Sequence, residues 1–179
     1  YSIFLIGNIA SGKSSAAAYF ERRGARRIDL DSVCKNMYVP GSAIVDDLIE
    51  AFGLDILSSV GGINTSKLAA RAFVDSDSTD KLNSIVHPFI TQYVAQVLLP
   101  SNCCSTLVPD FPLTVVELSV ASEYCDLFPL ADEVLAISAP EDVRRDRAIA
   151  RGMSPADVNR RISVQPTEQD LIELATTVI

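Results

Sequence analysis

The chain has 179 residues, with 15 Lys and Arg against 23 Asp and Glu, a formal charge of −8. That balance argues against a nucleic-acid partner, because such binders neutralise phosphates with surplus cations, yet it leaves room for a small phosphorylated ligand. At 48% hydrophobic and 21% charged residues the composition excludes a disordered chain and suits one core, or one core with an inserted lobe.

Residues 1–6 form a short apolar run ending at Gly7, the pattern of a strand buried on both faces. After a glycine-containing loop, 14–23 reads as a helix with Ala16, Ala17, Ala18, Tyr19 and Phe20 on a packable face and Gly24 as its stop. Residues 25–29 then read as a second strand, and strand–helix–strand implies a parallel sheet. From about 31 to 100 the pattern changes to helices separated by turn signals. Ile44, Leu48, Ile49 and Phe52 share one helical face, as do Leu68, Ala72 and Phe73, and later Ile85, Phe89, Ile90, Val94 and Val97. Strand-like runs return at 113–118 and 133–138. Residues 140–152 and 154–165 read as two helices, the second capped by Ser154 with Pro155 at its first position. Residues 176–179 read as a last strand cut short, with a continuation of the native chain expected beyond it.

No apolar stretch reaches the roughly 18 residues of a membrane span, and no charged-then-apolar leader is visible. A soluble, cytoplasmic protein with no membrane partner is expected. Cys34, Cys103, Cys104 and Cys125 lack metal-type spacing and read as reduced thiols without assigned chemistry. All fifteen basic residues lie up to Lys81 or from Arg144 onward, with six arginines between 144 and 161. Solvated helix faces with pairs such as Glu141 and Arg145 account for such a cluster unless another observation gives it a task.

That observation is at the other end of the chain. Residues 7–14, Gly-Asn-Ile-Ala-Ser-Gly-Lys-Ser, match GxxxxGKS in full, a pattern that arises by chance in a chain of this length on the order of 1% of the time at ordinary residue frequencies. The match follows an apolar strand and opens a helix, as a phosphate-binding P-loop requires. In such a loop backbone N–H groups wrap the phosphates; Lys13 would bridge the β- and γ-phosphates, and the Ser14 hydroxyl would ligate Mg²⁺. Gly7, Asn8, Ala10, Ser11, Gly12, Lys13, Ser14 and Ser15 thus form the expected nucleotide site. A GTPase switch would carry NKxD, which is absent, and a motor would carry an acidic pair after an apolar run, whereas 113–117 ends in one acid. A small-molecule kinase fits the size and the helical insertion best. Asp29 and Asp31, two carboxylates at a strand end, offer one general base facing the phosphates and one group turned to the scaffold; turn formation or capping is the alternative.

In order, GxxxxGKS, Phe-x-x-x-Gly-Ala, Ile-Asp-x-Asp, Pro-Gly-Ser, Phe-Gly, Lys-Leu-Ala-x-x-x-Phe, Ile-Val-His-Pro, Arg147-x-x-x-Arg151, Arg161-Ile-x-x-Gln165 and Ala175-x-x-Val178-Ile179 resemble the dephospho-CoA kinases along the whole chain. The resemblance implies transfer of the ATP γ-phosphoryl group to the 3′-hydroxyl of dephospho-CoA, with Mg²⁺ as cofactor and ATP and dephospho-CoA as partners. Another small-molecule kinase, or an inactive nucleotide-binding regulator, is the alternative. It further implies a P-loop NTPase fold of three α/β/α layers around a parallel five-stranded sheet. Its core would be 1–36 and 106–179, with a lid at about 141–165, and 37–105 would be the helical acceptor-binding insertion. By position, Asp31 is the base, Asp29 orients the site or assists Mg²⁺, Arg147 and Arg151 contact the phosphates, and Arg161 repeats their spacing on the next helix. His87, before Pro88, either satisfies a helix start or contacts the acceptor. Ala10 stands where the family usually has glycine. Residues 119–123, Ser-Val-Ala-Ser-Glu, replace the usual Pro-Leu-Leu-Phe-Glu, with Glu123 at the position of the acid.

Overall fold

The computed structural model describes residues 1–98 and 111–179; Cys103, Cys104 and the expected boundary near 105 lie outside the described residues. In chain order the elements begin with β1 (Ser2–Ile6), α1 (Lys13–Glu21), β2 (Arg26–Asp29) and α2 (Leu30–Met37). A helical stretch follows: α3 (Ala43–Phe52), α4 (Thr65–Ala72) and α5 (Ser76–Leu98). Then come β3 (Thr114–Glu117), β4 (Glu133–Ala136), α6 (Glu141–Ala150), α7 (Pro155–Ser163), α8 (Glu168–Leu174) and β5 (Thr177–Val178). The chain divides into two compact units, Tyr1–Leu30 with Leu98–Ile179, and Asp31–Val97.

The first unit is an α/β P-loop kinase fold. Its five strands are all parallel, in the order β2-β3-β1-β4-β5. β1 is buried at every position, which is why it reads as an unbroken apolar run rather than an alternating one. Ile3, Leu5, Val115 and Leu135 pack on one face with Ala17 and Ala25, joined by half-buried Ala16 and Phe20. Small alanines let α1 lie close over the strands, and α1 stops where Gly24 adopts φ +92°, a conformation costly to any residue with a Cβ. On the other face Phe4 meets Phe128, rings 6.3 Å apart and at 76°, an edge-to-face contact with the 3-10 segment Ala121–Leu130. α8 has no counterpart in the sequence reading. Seven residues are too few to show a helical period, but Thr167 and Asp170 form a reciprocal capping box at its start.

The second unit is helical. α3 buries Ile44, Val45, Leu48 and Phe52, and α4 buries Leu68 and Ala72. Phe73, expected on the same face, instead ends α4 and is 64% exposed. α5 buries Leu82, Val86, Ile90 and Val94, a strict four-residue repeat, while Ile85, Phe89 and Val97 flank it half-buried. α5 also runs through Pro88, so no helix starts at His87. Ser84 and Pro88 are both on the exposed side, where the carbonyl left without an N–H partner can be hydrated. No described helix is long and apolar enough to cross a membrane.

Candidate active site

In a parallel sheet all strands end at one edge, and open α/β folds bind ligands there, where neighbouring connections diverge. β1 is flanked by β3 and β4, so the loop it feeds lies at that divergence. A Cβ on Gly7 would fall 2.6 Å from the Ile137 carbonyl oxygen and 2.7 Å from Ser11 Oγ; glycine is required there by close approach. Ala10 has φ +58°, the one positive φ outside glycine among the described residues, at a cost of about 1–2 kcal/mol for an L-residue. The family's usual glycine at this position therefore has a conformational reason. α1 opens with Ser15 N–H donating to the Gly12 carbonyl at 2.9 Å, leaving a helix N-terminus aimed at the loop.

Two side chains from this helix start are held at the strand edge. Lys13 Nζ donates to the Gly7 carbonyl at 3.1 Å. Ser14 Oγ donates to Glu117 Oε1 at 2.5 Å, and Glu117, the last residue of β3, is only 5% exposed. Its other oxygen, Oε2, accepts from Arg27 Nη2 at 2.8 Å. This hydrogen bond raises the already high pKa of Arg27, against burial, which lowers it. Glu117 is a site residue that the sequence reading passed over. Its signal in the sequence is the single acid that ends the apolar run 113–117. Asp29 is the register partner of Glu117 across β2 and β3. The expectation that Asp29 and Asp31 face apart along an extended chain is corrected: residues two apart on a strand share a face. What distinguishes them is that β2 ends at Asp29 and α2 begins at Leu30.

The arginine-rich stretch divides. Arg147 Nη1 donates to the carbonyls of Ser11 at 3.0 Å and Ala10 at 3.4 Å, so α6 brings this guanidinium to the P-loop. Arg145 pairs with Glu141 at 2.7 Å and Arg160 with Asp157 at 2.6 Å, as expected of a solvated face. Arg144 departs from that expectation. It is buried, its Nε donates to the Ala139 carbonyl at 3.0 Å, and Nη1 has no partner among the described residues. It lines a small cleft with Asn8, Ser11, Ser138 and Glu168. Arg151, which caps α6, and Arg161, on α7, are exposed. Gln165, which the sequence marks only as part of a motif, accepts at Oε1 from Ile9 N–H at 2.9 Å. Asn8 Nδ2 donates to the neighbouring Pro166 carbonyl at 2.9 Å. The link between α7 and α8 is thus tied to the P-loop twice.

Of the remaining predicted residues, Asp31 stands exposed in the first turn of α2. His87 is half-buried on α5 with Nδ1 3.5 Å from Thr91 Oγ1. Both belong to the Asp31–Val97 unit. Glu123 is exposed on the 3-10 segment of the first unit. Chemically, the loop, Lys13 and Arg147 offer backbone and cationic donors suited to a polyphosphate. Ser14 and Glu117 add hard oxygen donors, and no group of three metal-binding side chains is present among the described residues. That donor set fits Mg²⁺, which keeps its waters and takes one or two protein oxygens alongside substrate phosphates.

The dephospho-CoA kinase family model matches residues 1–179. The dephospho-CoA kinase of Corynebacterium efficiens is 37% identical over 180 residues, covering 99% of this chain and 86% of its own. Among solved structures, TT1252 from Thermus thermophilus has a TM-score of 0.78 at 26% identity, covering 99% of this chain and 86% of that one. The dephospho-CoA kinase from Campylobacter jejuni has a TM-score of 0.65 at 19% identity with the same coverage, a likeness of fold. With a P-loop at the sheet edge and a family match from first residue to last, the chain belongs to the dephospho-CoA kinase family, ATP-dependent enzymes whose phosphorylation of dephospho-CoA is the last step of coenzyme A synthesis.

Proposed function

We propose that in this transfer the loop 7–15 and Arg147 hold the ATP phosphates, Ser14 ligates Mg²⁺, and Asp31 takes the proton of the acceptor 3′-hydroxyl. The bond between the γ-phosphorus and the bridging oxygen of ADP breaks as the bond to the ribose oxygen forms, and the hydroxyl proton passes to the Asp31 carboxylate. Mg²⁺, when bound, neutralises charge on the β- and γ-phosphates. Lys13 moves from the Gly7 carbonyl to the phosphates, and Arg147 exchanges its loop carbonyls for phosphate oxygens, a stronger charge-assisted contact. Arg151, one helical turn from Arg147, is the second lid cation, and Arg161 follows on α7. Asp29 orients the site beside Glu117. The helical insertion, with His87, supplies the acceptor grip, and Glu123 contributes from the first unit. Membership of this family supports a cytoplasmic place of work. The acidic balance favours such small ligands over a nucleic acid.

The observation that carries this reading is the Ser14 hydroxyl held at the mouth of a P-loop by a buried strand-end carboxylate. The test is ADP release with dephospho-CoA as acceptor. Asp31→Asn is expected to lower kcat by roughly 10²–10⁴-fold while ATP affinity, measured separately, stays within about twofold of the parent, since one exposed carboxylate is removed without touching the loop. Full activity in Asp31→Asn would reject the base, and preference for a nucleoside monophosphate would reject the acceptor.

A further inference from the structure

The contact between Ser14 and Glu117 has a third member. On adjacent strands Arg27 is the register partner of Val115, and Asp29 of Glu117, so Arg27 and Glu117 are diagonal neighbours on one face of the sheet. Val115 on that face packs with Ala17 of α1. Glu117 therefore sits under the start of α1, and its two oxygens are divided: Oε1 to the Ser14 hydroxyl at 2.5 Å, Oε2 to Arg27 Nη2 at 2.8 Å. Arg27 has looser acidic neighbours as well, Glu21 at 3.7 Å from Nη1 and Asp29 on its own strand.

Hydroxyl chemistry gives this arrangement a direction. Ser14 has one hydrogen to donate and two lone pairs, and an ionised carboxylate only accepts. With Oε2 occupied by Arg27, Oε1 is turned to Ser14 and takes its hydrogen, which leaves the lone pairs of Oγ for a cation. A carboxylate without its second partner would be free to rotate, and the hydroxyl could then swing its hydrogen toward the cation position. Groups that orient a metal ligand from behind in this way commonly govern affinity by 10–100-fold.

We propose that Arg27 is a positioning residue for the divalent-cation site: acting through Glu117, it fixes the Ser14 hydroxyl with its lone pairs presented to Mg²⁺. This rests on the reading of Ser14 as the protein ligand to that ion.

The experiment is equilibrium binding of ATP by calorimetry, without acceptor, once in saturating Mg²⁺ and once in EDTA, for the parent and four variants. Arg27→Met, which keeps length and removes the donors, is expected to weaken binding in Mg²⁺ by roughly tenfold while binding in EDTA changes less than about twofold. Arg27→Lys recovers part of the Mg²⁺-dependent gain. Glu21→Gln leaves both values at the parent level. Ser14→Ala abolishes the gain. Equal losses with and without Mg²⁺ in Arg27→Met, or no loss in either, would overturn the inference. If Ser14→Ala keeps the full gain, the ligand reading fails and the inference with it; loss of the gain in Ser14→Ala with full retention in Arg27→Met sinks the inference alone. Circular-dichroism melts accompany each variant, and if Arg27→Met does not fold, Arg27→Gln carries the same comparison.

Discussion

Ala10 and Gly7 show how differently two residues of one loop are constrained. Ala10 holds a left-handed conformation at φ +58°. Replacing it by glycine removes a cost of about 1–2 kcal/mol and adds about 0.4–1 kcal/mol of unfolded-state entropy. Ala10→Gly is therefore expected to stabilise the protein by up to about 1.5 kcal/mol, seen as a higher urea midpoint at unchanged slope. At Gly7 the constraint is contact: an added Cβ meets a backbone oxygen at 2.6 Å, and backbone cannot step aside as a flexible side chain can. Gly7→Ala is expected to cost about 1–3 kcal/mol, as overpacking does, and to weaken ATP binding as well, since the atoms displaced are those of the phosphate loop.

At the scale of elements, the P-loop is braced by the turn that joins α7 to α8. Removing the Gln165 acceptor from Ile9 N–H by Gln165→Ala is expected to cost about 1 kcal/mol or less in global stability while raising the KM for ATP several-fold. Equal KM values in parent and variant would show that the brace does not shape the loop. Much of this architecture was legible because its signals are contiguous: the run 1–6, the eight-residue GxxxxGKS match, Gly24 as a stop and Ser154 with Pro155 as a start. The residues that escaped depend on pairing between distant segments. Glu117 acquires meaning only from the register that sets β3 beside β1 and β2, and a single acid after an apolar run does not reveal which hydroxyl it will meet. Arg144 sits among arginines that do pair on the surface, and nothing in its spacing distinguishes the one that the fold buries. Pro88 gave two opposed signals, a possible helix start at His87 and an apolar period over 85–97 that runs through it, and the period prevailed. Proline is a sound helix breaker in isolation, but a 23-residue helix with a buried four-residue repeat outweighs one missing bond on its wet side.

For the whole molecule, acid stability follows from carboxylates spread over both units. Asp75 is hydrogen-bonded by the Ser78 N–H and hydroxyl, Asp132 by the Ser2 N–H and hydroxyl, and Asp170 by Thr167, and each is held below the usual aspartate value of 3.8. A pKa lowered in the folded state means that the unfolded chain binds protons first. The stabilisation is thus complete above the ordinary value and is lost as pH falls through the lowered ones. Urea midpoints measured from pH 6 down to about pH 3 should be flat at first and then decline, and Asp132→Asn should make that decline shallower. A midpoint that rises on acidification would contradict this.

The strand order also dictates a timetable for making the protein. β1, the strand that delivers the nucleotide loop, pairs Ser2 with Thr114 and Ile3 with Glu133, so neither of its neighbours has been made until the whole helical stretch between them has been translated. During that interval an almost wholly apolar strand is without its sheet, while the intervening helices can form early from local contacts alone. The nucleotide loop is consequently made before the strands that complete its site, and it is in this waiting period, rather than in the finished fold, that the chain is most exposed to aggregation.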